Sequence, residues 1–408
     1  MSEATLQLGN GKWAVKSGNI LGYHTYQADK LKYFPNELNF TRASTATRVA
    51  ENGLIESVAS GVPRIDFTGG EGKLLLEPQR TNLATYSNGF DDASWSSTRM
   101  IETPNSATSP DGTINAYLIE CTVSGLSKCY NTNISYTSGV FYTMSFFAKY
   151  NNQSRLNLSL NGGVFSTASN VFDIQNGTLI SGDGTIEDYG NGWYRIIVTR
   201  QANTTITSNG FGIQFQDEFT GSGVAGDKAY IYGAQMEVGT YPTSYIPTAG
   251  STVTRVADAS ATSGLSSVIN SVEGVLFADV IFFGGSFKFI TINSGSSSNR
   301  VAIFSSNATQ ISYNVRVGGV NQFNGNFTID STIRHKLALK YKANDFALWI
   351  DGVEVVTLAS GTTFSASTLT NFSLDDGGGG SVFNGLIQDL AIFPTALSDA
   401  ELIDLTTL

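Results

Sequence analysis

The stretch Trp349-Ile350-Asp351-Gly352-Val353-Glu354-Val355 decides how this chain is read. Asp-Gly between two apolar-alternating runs is a strong hairpin signal, because a type I′ turn needs positive φ at both central residues. Further on, Gly385-Leu386-Ile387-Gln388-Asp389-Leu390-Ala391-Ile392-Phe393 alternates Leu386, Gln388, Leu390 and Ile392 with Ile387, Asp389, Ala391 and Phe393. That run stops at Pro394. Ser398-Asp399-Ala400-Glu401 follows, a Ser-x-x-Glu capping box that opens a short terminal helix.

The same period-2 texture runs back through the chain. Leu156, Leu158 and Leu160 alternate with Asn157, Ser159 and Asn161, and Phe211, Ile213 and Phe215 with Gly212, Gln214 and Gln216. Alternation of this kind means one buried and one wet face, as in antiparallel sandwiches. Only 14% of the 408 residues are charged, against the ~25% of an average domain. Gly, Ser, Thr and Asn fill the gap and suit short strands and tight turns better than helices. The predicted fold is therefore all-β: two antiparallel jelly-roll β-sandwiches behind a small β-rich N-terminal module. The expected division is 1–85 as an anchoring and oligomerisation module, 86–248 as a first sandwich, 249–270 as a linker and 271–408 as a second sandwich.

The net charge of −10, with no basic stripe, argues against a nucleic-acid partner. No run approaches a membrane span, and Met1–Thr5 carries no secretory signal, so the chain is expected to be made in a cytoplasm. Cys121 and Cys129 flank an expected hairpin, Thr122 to Lys128, and are read either as a cross-strand disulfide or as two thiols. Ser44-Thr45-Ala46-Thr47-Arg48-Val49-Ala50-Glu51 is echoed by Ser251-Thr252-Val253-Thr254-Arg255-Val256-Ala257-Asp258. The two copies are read as one boundary device used twice, with chance in a Ser/Thr/Val-rich chain as the alternative.

Several strings together carry a family resemblance. Leu8-Gly9-Asn10-Gly11-Lys12-Trp13 is followed by Phe40-Thr41-Arg42-Ala43-Ser44-Thr45, Pro63-Arg64-Ile65-Asp66-Phe67 and Leu75-Leu76-Glu77-Pro78-Gln79-Arg80-Thr81-Asn82. Tyr232-Gly233-Ala234-Gln235-Met236-Glu237 then runs into Pro242-Thr243-Ser244-Tyr245-Ile246-Pro247. This arrangement resembles structural proteins of tailed bacteriophages, of the tail-fibre, head-fibre or decoration type, with carbohydrate-binding-module-like and concanavalin-A-like (laminin-G-like) sandwiches. The ending of hairpin, closing strand and short helix resembles the concanavalin-A-like domains. The resemblance implies a non-enzymatic virion component, released by lysis, in contact with other virion proteins and with host surface glycans. It also implies a homotrimer. Apolar residues of the N-terminal module, from Trp13 and Ile20 to Leu31, Phe34 and Leu74-Leu75-Leu76, are expected to pack against sister chains, because so small a module buries little by itself.

Catalytic residues are not expected. A glycosidase needs two facing carboxylates, and the Glu-x-Asp-x-x-Glu-like run of related glucanases is missing. Asp217-Glu218 and Glu187-Asp188 are adjacent in sequence and would point to opposite faces of a strand. His24 and His335 read as structural. A polysaccharide depolymerase of the tailspike kind and a secreted bacterial adhesin remain the competing functions. For sugar stacking, the candidates on polar segments are Tyr130, Tyr136, Tyr142, Tyr189 and Phe323, with Asn321 for hydroxyls. Asp375 and Asp376, ahead of four glycines, are the candidate calcium ligands, and no other cofactor is expected.

Overall fold

Asp351 and Gly352 sit at φ +50° and +83°, and Ile350 pairs with Val353 across them. The two-residue turn read from the sequence is therefore present. Ser398 caps the helix Asp399–Thr406 through a full capping box with Glu401. These features come from a computed structural model, which describes all residues except 1–3, 5, 10–12, 25–31, 161, 167, 168, 219, 220 and 285; the side chains of 22–24 and 32–37 are likewise not described. Among the described residues, every other regular element is a β-strand. None of their helices is long and apolar enough to cross a membrane.

The chain divides into two units, and not at the expected boundaries. One unit comprises residues 1–45, 58–78 and 256–408, the other 46–57 and 79–255. Two of the crossings, 45/46 and 255/256, fall inside the repeated octapeptides. Within its own unit, Arg48 of the first copy pairs with Glu56 at 2.5 Å.

In the first unit, an eleven-stranded sheet has Gly385–Phe393 near its middle, flanked by Glu273–Phe282 and Leu6–Gly9. All four residues of Leu6–Gly9 pair with Asp389–Ile392, and Leu74, Leu75 and Leu76 pair with Ile387, Leu386 and Gly385. The N-terminal segment thus completes the C-terminal sheet and is not a separate module. Leu6, Leu8, Ile20, Leu74 and Leu76 are buried in the same core as Leu276, Leu339 and Ile387. The need for sister chains to cover them disappears, since their partner surface lies in their own chain. Leu31 and the Phe34 side chain lie outside the described residues.

The stretch expected to be a linker is also structured. Ala259–Thr262 is a strand paired with both Asn371–Ser373 and Phe40–Thr41. Leu265, Val268 and Ile269 are core residues.

Opposite the large sheet lies a seven-stranded one. Its order is Val320–Thr328, Gln310–Val317, Arg300–Asn307, Lys288–Asn293, Asn371–Ser373, Ala259–Thr262 and Phe40–Thr41. Ile290, Ile292, Val301, Ile303, Ile311 and Val315 turn into the core shared with the large sheet. On the far side of the large sheet, Val275, Phe277, Trp349, Ala391 and Phe393 pack on Leu402 of the terminal helix. The alternation along Gly385–Phe393 slips once. A bulge places Asp389 opposite Asp279 but Ile387 opposite Val280, so Gln388 is the extra residue. Ile387 consequently joins Leu390 and Ile392 on the core side.

Four ionic side chains are buried together in this unit. Asp258 accepts from Arg42 Nη1 at 3.1 Å and from Arg64 Nη2, and Arg64 Nη1 donates to Glu77 at 2.6 Å. The side chains of Arg42, Arg64 and Asp258 are fully buried. Burial works against the charge of Arg64, but Glu77 and Asp258 outweigh it and hold its pKa above the usual arginine value.

The second unit has two six-stranded antiparallel sheets. Trp95, Phe146, Phe172 and Phe211 fill its core. Cys121 lies on Ile114–Cys121 of one sheet and Cys129 on Lys128–Tyr136 of the other, so the segment between them crosses between sheets and is not a hairpin. Both are buried free thiols, and burial pushes the Cys129 thiol up.

Candidate functional site

The outer face of the seven-stranded sheet is polar because the alternation of its strands makes it so. On Gln310–Val317, Ile311, Tyr313 and Val315 turn inward, which turns Ser312, Asn314 and Arg316 to the outer face, where neighbouring side chains bury Ser312 and Asn314 and leave Arg316 partly exposed. Register then places Asn314 opposite Asn324 and Ser312 opposite Asn326 on one side, and Arg316 opposite Arg300 on the other. Hydrogen bonds fix these groups. Asn314 Oδ1 accepts from Arg300 Nε at 2.9 Å, and Asn314 Nδ2 donates to Asn321 Oδ1 at 3.0 Å. Ser312 Oγ donates to Asn326 Oδ1 at 2.7 Å.

Aromatic rings lie alongside. Phe289 and Phe304 stack at 4.1 Å, nearly parallel, and the Arg300 guanidinium lies 5.0 Å over Phe289. Phe287, 51% exposed, extends this stack at 6.4 Å from Phe304. Its φ is +61°, a conformation that costs a bulky residue energy and tends to mark function.

Two hollows open on this face. One, of about 310 Å³, is lined by Arg300, Phe304, Asn314, Arg316, Asn321 and Asn324, among others. The other, of about 340 Å³, is bordered by Asn39, Thr262, Asn293, Asn371, Ser373 and Asp375 with the glycine loop. Asn293 and Arg300 are direct partners on neighbouring strands, and Arg300 Nη1 donates to the Asp376 carbonyl at 2.9 Å. Arg300 therefore links the two hollows.

Most of the residues singled out from the sequence lie elsewhere. Tyr136 and Tyr142 are buried in the second unit's core, with ring centroids 4.9 Å apart. Tyr130 is buried, and its hydroxyl donates to the Gly210 carbonyl at 2.6 Å. Tyr189 is half-buried, edge-on to Phe147 at 4.8 Å. Phe323 is in the first unit's core, 4.5 Å from Tyr313. Asn321, by contrast, is exposed on the outer face and lines the first hollow. Sequence reasoning missed Arg300, Arg316, Asn314, Phe287, Phe289 and Phe304.

The loop carboxylates named as candidate calcium ligands each bond back to their own loop through Oδ1. Asp375 Oδ1 accepts from Ser373 Oγ and Gly377 N, and Asp376 Oδ1 from Gly378 N and Gly380 N. Among the described residues, no three His, Cys, Asp or Glu side chains gather as a metal site. His335 is held by Asp351, with Nδ1 to Oδ2 at 2.6 Å, and by the Asp330 carbonyl at 2.7 Å. The His24 side chain lies outside the described residues.

One pair of carboxylates does meet across strands. Asp279 and Asp389 are direct register partners on the helix side of the large sheet. Arg334 takes both oxygens of Asp279, at 2.8 and 2.7 Å. Burial, with a smaller push from Asp279 and against a hydrogen bond from Gln7, raises the Asp389 carboxyl to about 7. In the unfolded chain it ionises near pH ~4. The folded state thus keeps a proton that the unfolded state loses. The stability this confers is full below pH ~4 and is lost as pH rises through ~7. Asp389→Asn should match the wild type near pH ~4 and be more stable at pH ~8. Urea unfolding at both pH values reads this, and an Asn variant less stable at the higher pH would contradict it.

A sequence-family profile described as "Concanavalin A-like lectin/glucanases superfamily" matches residues 280–403. That segment carries most of the seven-stranded sheet and the strands Gly385–Phe393 and Phe346–Ile350. Residues 280–403 thus match a concanavalin A-like profile, in keeping with the all-β sandwich expected from the sequence. No curated protein sequence matches the chain. Among solved structures, the chain is similar to the Ruminococcus gnavus IT-sialidase CBM40 bound to alpha2,3 sialyllactose. The identity is 18%, with 36% of this chain and 92% of that chain covered and a TM-score of 0.31. It is also similar to a leech intramolecular trans-sialidase, at 22% identity over 34% of this chain and 24% of that one, TM-score 0.28. A third is the Trypanosoma rangeli sialidase, at 12% identity, 94% and 66% coverage, TM-score 0.27. Likenesses this low carry no argument about ligand or activity here.

Proposed function

We propose that the chain is a non-enzymatic, glycan-binding β-sandwich protein of a bacteriophage particle, with the outer face of the seven-stranded sheet as its binding surface. The observation that carries the binding role is the array of Asn314, Asn321, Asn324 and Arg300 beside the stacked Phe287, Phe289 and Phe304. Sugars are recognised by amide and guanidinium groups on their hydroxyls and by aromatic rings on their apolar faces. The hollows extend from Val320–Thr328 to Ala259–Thr262, six strands at ~4.8 Å spacing, or about 24 Å. This span suits an oligosaccharide rather than a single sugar. The match of residues 280–403 to a lectin and glucanase family supports a carbohydrate ligand.

The virion role rests on the strings quoted from the N-terminal and middle regions. A homotrimer and contacts with other virion proteins rest on the same resemblance. For the alternative of a depolymerase, one cross-strand carboxylate pair, Asp279 and Asp389, has both oxygens of Asp279 bonded to Arg334.

A glycan array probed with the full chain tests the binding role. Wild type should bind oligosaccharides without shortening them, and Phe287→Ala should weaken binding while the fold stays intact. Release of new reducing ends would favour the depolymerase, and binding untouched in both Phe287→Ala and Asn314→Ala would place the surface elsewhere.

A further inference from the structure

Arg300 and Arg316 face each other directly across neighbouring strands and line the same hollow. Like charges placed opposite each other in a sheet are destabilising. Several arginines elsewhere in the chain are matched to acids, such as Arg42 and Arg64 to Asp258, Arg155 to Glu218 and Arg334 to Asp279, while Arg195 donates to the neutral Ser145 hydroxyl. Among the described residues, no carboxylate forms an ion pair with Arg300 or Arg316. Arg300 commits Nε to Asn314 Oδ1 and Nη1 to the Asp376 carbonyl, both neutral acceptors. Arg316 commits only Nε, to the Gly319 carbonyl at 2.9 Å. Nη2 of Arg300 and both Nη atoms of Arg316 remain without a hydrogen-bond partner among the described residues.

The acid that acts on Arg300 is Asp376, whose Oδ1 is occupied by two backbone amides of its own loop. Burial lowers the Arg300 pKa; the field of Asp376 supports the charge, and a smaller opposing push comes from Arg316. A chain of net charge −10 thus keeps two cations together in a half-buried hollow lined by asparagines.

We propose that this hollow selects a negatively charged sugar, whose carboxylate or sulfate is held between the Arg300 and Arg316 guanidiniums. This rests on the glycan-binding reading above and names the substrate class of the same surface. Asn314 acts as a positioning residue: its Oδ1 orients Arg300, and its Nδ2 ties that arrangement to Asn321. The geometry suits planar forks, since guanidiniums hold carboxylate or sulfate oxygens with paired donors.

The test uses the full chain on an array of neutral, carboxylated and sulfated oligosaccharides, with affinities of the hits then measured in solution. Acid-bearing glycans should dominate. Arg300→Gln and Arg316→Gln should each weaken them roughly tenfold or more, the usual worth of a charge-assisted hydrogen bond. Methyl-esterifying a carboxylated hit should weaken it comparably, whereas a sulfated hit that survives esterification identifies sulfate as the group held. Arg316→Gln should leave the thermal midpoint unchanged or raised, because it removes the like-charge opposition. A marked fall in that midpoint would assign Arg316 a structural role instead. Neutral hits insensitive to both arginine variants would overturn the acidic specificity and leave the glycan-binding reading standing. No hits of any class would overturn both.

Discussion

Asp258→Asn should destabilise the first unit by about 3–5 kcal/mol, the usual result of removing one partner from a buried ion cluster. Asp258 holds Arg42 and Arg64 at once, and also accepts the Glu77 backbone N–H at 2.8 Å. With the carboxylate gone, two guanidiniums remain in a site whose side chains are fully buried. Glu77 still pairs with Arg64, and Arg42 keeps bonds to the carbonyls of Ser44 and Ala59, which are neutral acceptors. Differential scanning calorimetry should therefore show the loss in one transition. A midpoint within ~1 °C of the wild type would show that the cluster contributes little.

Gly210→Ala should be comparably severe in the second unit. A Cβ at Gly210 would lie 1.3 Å from the Asn131 carbonyl oxygen and 2.4 Å from its carbon, atoms of the neighbouring strand's backbone. No rotamer change can relieve a clash with a backbone, so the strands Lys128–Tyr136 and Ile206–Phe215 must part where they carry the Tyr130–Gly210 bond. Overpacking in a tight interior typically costs ~1–3 kcal/mol, and a contact this short should reach or exceed the upper end. Retention of the wild-type urea midpoint would contradict the strand geometry described here.

The parts of the fold legible in the sequence were those set by local chemistry. The Asp351-Gly352 turn, the Ser398 cap and the period-2 strands each depend on residues within a few positions of one another. The joining of Leu6–Gly9 to Gly385–Phe393 does not. Gln7 and Asp389, hydrogen-bonded at 3.2 Å, are 382 residues apart, and nothing near either end announces the other. The N-terminal segment therefore looked like a module short of core, when its core was supplied from the far end of the chain.

The candidate site shows a different kind of miss. Tyr136 and Phe323 stood out because their neighbours are polar. In a strand that is evidence for burial of the odd residue, since adjacent side chains point to opposite faces. Phe323 turns inward for the same reason that Asn324 turns outward. Arg300 and Arg316 could have been brought together only by fixing the hairpin between them. The Asn307–Gln310 turn sets that register, and the irregularity between Ser305 and Asn307 shifts it. Phe287 and Phe289 share a face by simple alternation. The apolar Val301 and Ile303, however, mask the fact that Phe304 belongs to the wet side.

The most direct test of the central claim is amide hydrogen exchange on the full chain, with and without a glycan that binds it. The account predicts that protection gained on binding is confined to the strands Lys288–Asn293, Arg300–Asn307, Gln310–Val317 and Val320–Thr328 and the loop at Asp375–Gly380. Protection that appears instead on the strands of residues 79–255, with none on the seven-stranded sheet, would contradict it.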